Sequence, residues 1–129
     1  MWVEIGSSNL NWGDEKAGDF LAKTIMDFFS INISFPKRPV ILGIGGLHHT
    51  PNFSKLILDQ KVYVGHVCPK YLLSSVTIES LEHAIQNTFP KVSHIVYDWK
   101  SLTEKERLIP LIESLSSKYN LVIAKSKDL

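Results

Sequence analysis

The chain has 129 residues, of which 44% are hydrophobic and 21% charged, with a formal net charge of +1 and a single cysteine. These values are those of an ordinary one-domain protein. They exclude a disulfide framework, a four-cysteine zinc site and binding of nucleic acid through overall charge. The first residues do not have the pattern of a signal peptide, and no stretch reaches the roughly 20 apolar residues of a membrane span, so we expect a cytoplasmic protein without a membrane partner. Overall charge does not exclude a local basic face, and six side chains are candidates for it: Lys37, Arg38, Lys55, Lys70, Lys100 and Lys105.

The first half of the chain predicts two strands and two helices. WVEI at 2–5 is a short strand-like run, and the apolar spacing of residues 14–29 predicts a helix with acidic residues at its start. PVILGI at 39–44 is a β-type run too short for a buried helix. A short helix is expected over residues 53–60.

The second half repeats the alternation. VYVGHV at 62–67, HIVYDW at 94–99 and NLVIA at 120–124 read as strands. Thr77 is expected to cap a helix through Phe89, with Ile78, Leu81, Ile85 and Phe89 on its buried face. Ser101 and Glu104 have the spacing of a capping box for the last helix, and Pro110 predicts a kink or a division into two pieces.

Strands that alternate with helices over short loops predict a three-layer α/β/α domain over residues 1–129. Its central sheet should be mostly parallel, with a mixed sheet as the alternative. Ligands of such sheets bind beyond the carboxyl ends of the strands. This rule gives weight to the loop after PVILGI, the segment after VYVGHV, and the residues Asp98, Trp99 and Lys100.

The stretch GIGGLHHTPNFSK at 43–55 is the most unusual of these places. It is no phosphate loop of the Walker type, because Leu47 and His48 stand where lysine and serine or threonine are required. It also lacks the third glycine of a dinucleotide-binding fingerprint. Two interpretations stay open: a plain tight turn, or a backbone that approaches an anion or a ribose closely.

The histidines near these strand ends are candidate catalytic or metal-binding groups. Neighbouring residues point in different directions, so at most one of His48 and His49 should share a site with His66. A His48–His66 pair could bind substrate, transfer protons or hold a metal ion. Zinc would need further ligands, for which only Cys68 and Asp98 offer themselves. The alternative for His66 is a structural role, and this alternative is much stronger for His83 and His94.

Two further features have a functional and a plain interpretation. Cys68 could be a nucleophile beside His66, but a lone cysteine is more often a small buried apolar residue. Asp98, Trp99 and Lys100 combine a carboxylate, a flat ring and a cation, which suits contact with an RNA terminus. The plain alternative is a turn with its own ion pair.

Four motifs taken together resemble the archaeal and plant type of D-aminoacyl-tRNA deacylase. They are VEIGSS at 3–8, GIGGLHHTPNFSK at 43–55, GHVCPKY at 65–71 and DWK at 98–100. Members of this family are considerably longer, and the chain resembles their C-terminal half. The family has an aromatic residue where His49 stands, so its histidine corresponds to His48.

The resemblance implies a fold related to peptidyl-tRNA hydrolase and phosphorylase-like domains, and hydrolysis of the ester between a D-amino acid and the 3′ end of tRNA. It implies catalytic roles for His48, His66 and Asp98. Zinc is associated with the family, and His48 and His66 would be its ligands here. Substrate contacts are expected from seven other residues: Gly43, Gly45, Gly46, His49, Lys70, Trp99 and Lys100.

The partner expected from the resemblance is a tRNA that carries a D-amino acid, and not DNA. A homo-oligomer or a separate N-terminal subunit is a second expected partner. The competing hypothesis is a tRNA-binding or dimerisation module whose chemistry requires that N-terminal half. A nucleoside or phosphate-ester enzyme on a similar scaffold is a third alternative.

Overall fold

The computed structural model describes residues 6–31 and 36–129, and the chain divides into two compact units, Met1–Pro36 and Lys37–Leu129. The combination of the two in a single domain stays a prediction. In the first unit, Ser8 caps α1 (Asn9–Trp12) and Asp14 caps α2 (Glu15–Ser30), as the acidic start of the predicted helix indicated. The predicted strand at 2–5 lies outside the described residues. Within the described ranges, no helix combines the length and apolarity needed to cross a membrane.

The second unit is built on a parallel sheet, and four strands of it are described: β1 (Val40–Ile44), β2 (Tyr63–Cys68), β3 (His94–Tyr97) and β4 (Val122–Lys125). Their order is β2-β1-β3-β4, and every described pair is parallel. All five residues of β1 are buried, which explains its unbroken apolar run. The described sheet is therefore parallel and not mixed.

Helices cover both faces of this sheet, and three are described in the second unit: α3 (Pro51–Leu58), α4 (Ile78–Gln86) and α5 (Lys105–Tyr119). Phe53 and Leu56 of α3 pack with Ile41 and Val96 on one face. The apolar sides of α4 and α5 pack with Leu42, Ile44, Ile95 and Tyr97 on the other face. Alternate strand residues thus point to opposite layers, and the predicted α/β/α architecture is confirmed.

An irregularity in β2 decides which way its later side chains point. Ile41 pairs with Val64, but Leu42 pairs with His66, so Gly65 is an extra residue in the ladder. A slip of one residue turns every later side chain to the other face of the sheet. His66 and Cys68 consequently face the α4 layer, although regular pairing would have turned His66 towards α3.

Three details of the predicted helices are corrected. The helix α4 ends at Gln86, and Phe89 is 88% exposed because it lies beyond the last turn. Ser101 and Glu104 form no capping box, since the Ser101 hydroxyl accepts the Gly46 N–H instead. At Pro110 the predicted division into two pieces is excluded, because α5 is continuous, and the alternative of a kink stays a prediction.

Candidate functional site

The loops that follow β1, β2 and β3 are joined by backbone hydrogen bonds at the carboxyl edge of the sheet. Gly45 N–H donates to the Cys68 carbonyl at 2.8 Å, and Lys70 N–H donates to the Gly46 carbonyl at 2.9 Å. On the other side, Asp98 N–H donates to the Ile44 carbonyl at 2.9 Å. The three segments singled out in the sequence therefore meet at one edge, as the parallel arrangement predicted.

The glycines of the β1 loop are explained by backbone angle and close packing. Gly45 and Gly46 have φ angles of 92° and 88°, a region in which other residues are strained. A Cβ on Gly45 would stand 2.7 Å from the Ser101 hydroxyl oxygen, and one on Gly43 would stand 3.0 Å from the Phe53 ring. The N–H groups of Gly45 and Gly46 are both engaged within the chain. Contact of these three glycines with a substrate stays a prediction.

A first cavity, which we call the edge cavity, lies directly beyond the strand ends. It has a volume of about 480 Å³ and is lined by six residues: Leu47, His48, Lys70, Tyr71, Ser74 and Thr103. His48 is exposed, and its ring lies 4.7 Å from the His49 ring and 5.3 Å from the Tyr71 ring. The edge cavity thus combines an accessible imidazole, an ammonium and hydroxyl groups. No hydrogen bond within the described residues fixes the orientation of the His48 ring.

His66 lines a different cavity, on the α4 face of the sheet, which we call the face cavity. Its volume is about 300 Å³, and its walls include Leu42, Cys68, Leu81 and Ala84. The two cavities lie on either side of the segment 70–76: Lys70, Tyr71 and Ser74 line the edge cavity, and Leu72, Ser75 and Val76 the face cavity. His48 and His66 therefore do not line a common cavity, because the bulge at Gly65 turns His66 towards α4.

The hydrogen bonds of His66 fix its tautomer, through a residue that the sequence analysis missed. Thr88 Oγ1 donates to the Ala84 carbonyl at 2.7 Å and lies 2.9 Å from His66 Nδ1. A carbonyl can only accept and a hydroxyl has one proton, so the Thr88 oxygen must accept from His66 Nδ1–H. Neutral His66 then carries a free lone pair on Nε2, the form required of a general base.

Gly65 makes room for this contact. A Cβ at position 65 would stand 2.2 Å from Thr88 Cγ2 and 2.6 Å from Thr88 Oγ1. The glycine inside a strand-like run was the available sequence signal, because such a glycine often marks a bulge or a close approach. The sequence offered no indication that the approaching group was Thr88.

Neither a thiolate nor a metal site is formed by the residues that surround His66. Burial raises the pKa of the Cys68 thiol, so this side chain stays protonated at neutral pH and fits the apolar role better than that of a nucleophile. Among residues 6–31 and 36–129, no three His, Cys, Asp or Glu side chains could share a metal ion. The predicted zinc ligands His48 and His66 line separate cavities, so no step proposed below uses a metal.

Asp98, Trp99 and Lys100 form a turn after β3 and line a third cavity, on the α3 side. The Asp98 carboxylate accepts the backbone N–H of Lys100 at 3.3 Å through Oδ1, and among the described residues it has no hydrogen bond to a histidine. The Trp99 ring lies near Tyr97, with ring centroids 6.1 Å apart, and has two lysine ammonium groups against it. The catalytic role predicted for Asp98 and the base stacking predicted for Trp99 stay predictions.

Comparison with known proteins identifies the family. A family model described as D-aminoacyl-tRNA deacylase matches residues 1–123. The chain belongs to this family. It is 35% identical to the D-aminoacyl-tRNA deacylase of Pyrococcus abyssi over 125 residues, which cover 97% of this chain and 44% of that protein. It is 30% identical to the deacylase of Methanosarcina mazei over all 129 residues, which cover 40% of that protein.

A solved structure of similar fold supports the fold of this chain. The crystal structure of AF0625, a conserved protein of unknown function, matches with a TM-score of 0.66 and 24% sequence identity. The match covers 95% of this chain and 42% of that chain. The chain thus spans less than half the length of the proteins compared here. The family predicted from the four motifs is confirmed. The activity of this shorter chain is proposed below.

Proposed function

We propose that this chain hydrolyses the ester that joins a D-amino acid to the 3′ end of tRNA. The observation that carries the proposal is the family match over residues 1–123, which includes both cavities and both histidines. The zinc predicted from the resemblance has no ligand set among the described residues. We therefore assign the proton transfer of ester hydrolysis to a side chain of the protein.

His66 is the general base in this proposal. Its Nε2 removes a proton from a water molecule, the water oxygen bonds to the ester carbonyl carbon, and the bond from that carbon to the ribose oxygen then breaks. The ribose oxygen takes up the proton, so the products are the free amino acid and tRNA. An aminoacyl ester is already activated, so one oriented base supplies much of the required acceleration.

The two cavities divide the substrate between them. The apolar walls of the face cavity suit an amino-acid side chain, and the edge cavity offers His48 and Lys70 to the terminal ribose and phosphate. Lys70 would also stabilise the negative charge that develops on the carbonyl oxygen. This arrangement requires the acceptor end of tRNA to lie along the segment 70–76.

The test is the rate at which the purified chain hydrolyses D-tyrosyl-tRNA and L-tyrosyl-tRNA, with added zinc or with a chelator. Faster hydrolysis of the D-ester, unaffected by the chelator, is the expected result. Loss of the activity with the chelator would replace histidine chemistry by zinc chemistry. Absence of hydrolysis by a folded chain that still binds tRNA would favour the competing function, a tRNA-binding module that requires the remainder of the longer relatives.

A further inference from the structure

The third cavity at the carboxyl edge has a distinct chemistry, and we call it the basic cavity. It has a volume of about 430 Å³ and lies between α3 and the segments that follow β3 and β4. Four lysines line it: Lys55, Lys61, Lys100 and Lys127. None of these lysines is used in the hydrolysis proposed above.

The acidic residues of the basic cavity neutralise only part of this charge. Asp59 pairs with Lys55 at 2.5 Å, and this contact lowers the pKa of the Asp59 carboxyl. Asp98 also lines the cavity, and Lys61 donates to the carbonyl of Leu129. Counting side chains only, four lysines and two aspartates leave an excess of two positive charges on the walls. Residues 37–129 as a whole carry 12 Lys and Arg and eight Asp and Glu, so the sheet-containing unit is positive although the whole chain is near neutral.

Trp99 adds two more cations to the rim of the basic cavity. The Lys105 ammonium lies 4.1 Å from the centre of the indole ring, and the Lys125 ammonium lies 5.2 Å from it. Cation–π attraction holds both ammonium groups beside a wall of the cavity. The ring therefore places two further ammonium groups at the rim of the basic cavity.

A buried donor without a partner lies in the same wall. Asn52, at the second position of α3, lines the basic cavity, and its side-chain nitrogen Nδ2 is buried with no hydrogen-bond partner among the described residues. A buried amide left unpaired costs about 1–3 kcal/mol. Asn52 Nδ2 has almost no accessible surface, so the lysines that line the cavity, and not this amide, indicate an anionic ligand.

We propose that the basic cavity binds backbone phosphates of tRNA and so anchors the nucleic acid beside the edge cavity. The cations come from α3 and from the segments after β3 and β4, an extent that suits several phosphates of a strand better than one free anion. Lysines bind phosphate as point charges and read no base, so the anchorage is independent of sequence. This inference rests on the proposed function, because it takes tRNA as the substrate.

The experiment measures the binding of deacylated tRNA to the full chain at several salt concentrations. The variants are Lys100→Gln, Lys127→Gln and the two together, and the matched control is Lys91→Gln, an exposed lysine before β3 at the opposite edge of the sheet. The double variant should bind about tenfold more weakly, and its dependence on salt should fall by about one to two units of log–log slope. The control should bind like the wild type.

Three results would overturn the proposal: no binding of tRNA by the wild-type chain at low salt, equal weakening by the control, or unchanged binding by the double variant. A titration with inorganic phosphate separates a free-anion site from a backbone site. Saturation by phosphate without any effect of the substitutions on tRNA affinity would assign the cavity to a small anion. If tRNA binds through these lysines but no ester is hydrolysed, the anchorage stands and the proposed catalysis fails.

Discussion

The two histidine regions of the second unit differ in how firmly each imidazole is held. His66 lies on a strand, hydrogen-bonded to Thr88, whose own proton is committed to a helix carbonyl. Both side chains are exposed, but His48 lies in a loop and has only ring contacts, to His49 and Tyr71, among the described residues. A side chain with one tautomer and one orientation suits proton transfer, whereas an adaptable side chain suits contact with a flexible tRNA end. The residue type alone would have assigned both histidines the same role.

The largest effect is expected from His66→Ala, which removes the proposed base. Hydrolysis of D-tyrosyl-tRNA should fall by about 10²–10⁴-fold, the usual contribution of a positioned acid or base. His83→Ala is the matched control, because His83 is an exposed histidine on α4. Single-turnover rates of the two variants measure the difference. Equal rates for the two variants would contradict the assignment of His66 as the general base.

Ser101→Ala tests the hydrogen bond that holds the glycine turn after β1. The Ser101 hydroxyl is buried and accepts the Gly46 N–H, so its removal leaves a buried donor unpaired. The free energy of unfolding should fall by about 1–3 kcal/mol in denaturant titration. Ser117→Ala, on an exposed position of α5, should change it far less. A neutral effect of Ser101→Ala would show that the glycine turn needs no such anchor.

Thr88 is expected to act as a positioning residue, and Thr88→Val separates this role from packing. Valine keeps the shape but releases His66 from its single tautomer, so kcat should fall about tenfold with KM little changed. Thr88→Ser retains the hydroxyl and should restore kcat and the wild-type pH profile of the rate. A serine variant as slow as the valine variant would assign Thr88 to packing alone.

The smallest effect on hydrolysis is expected from His48→Ala. An exposed hydrogen bond to substrate contributes about 1 kcal/mol, so the substitution should raise KM about fivefold with little change in kcat. Steady-state kinetics with D-tyrosyl-tRNA provide the measurement. A loss in kcat comparable with that of His66→Ala would place the chemistry in the edge cavity and reverse the comparison.

Periodicity and turn signals in the sequence were sufficient for the alternation of strands and helices in residues 37–129 and for the meeting of three loops at one edge, but they missed α1 (Asn9–Trp12). They were not sufficient for the direction of His66, which depends on a one-residue bulge at Gly65. Spacing suggested a helical cap for Ser101, but a long-range contact with Gly46 uses the same hydroxyl. Phe89 fitted the apolar face of α4, yet the helix ends before it. The Ser101 error arises where a contact distant in sequence overrides a local pattern, whereas Pro90 after Phe89 is a local signal that the helix ends.

The tautomer of His66 is the most direct test of the claim that the face cavity holds an oriented general base. The ring nitrogens of the wild-type chain can be observed by ¹⁵N NMR at a pH where the imidazole is neutral, with His66→Gln to assign the signals. The account predicts that His66 carries its proton on Nδ1 and leaves Nε2 free. A neutral His66 with its proton on Nε2 would contradict the account, because the face cavity would then hold no oriented base.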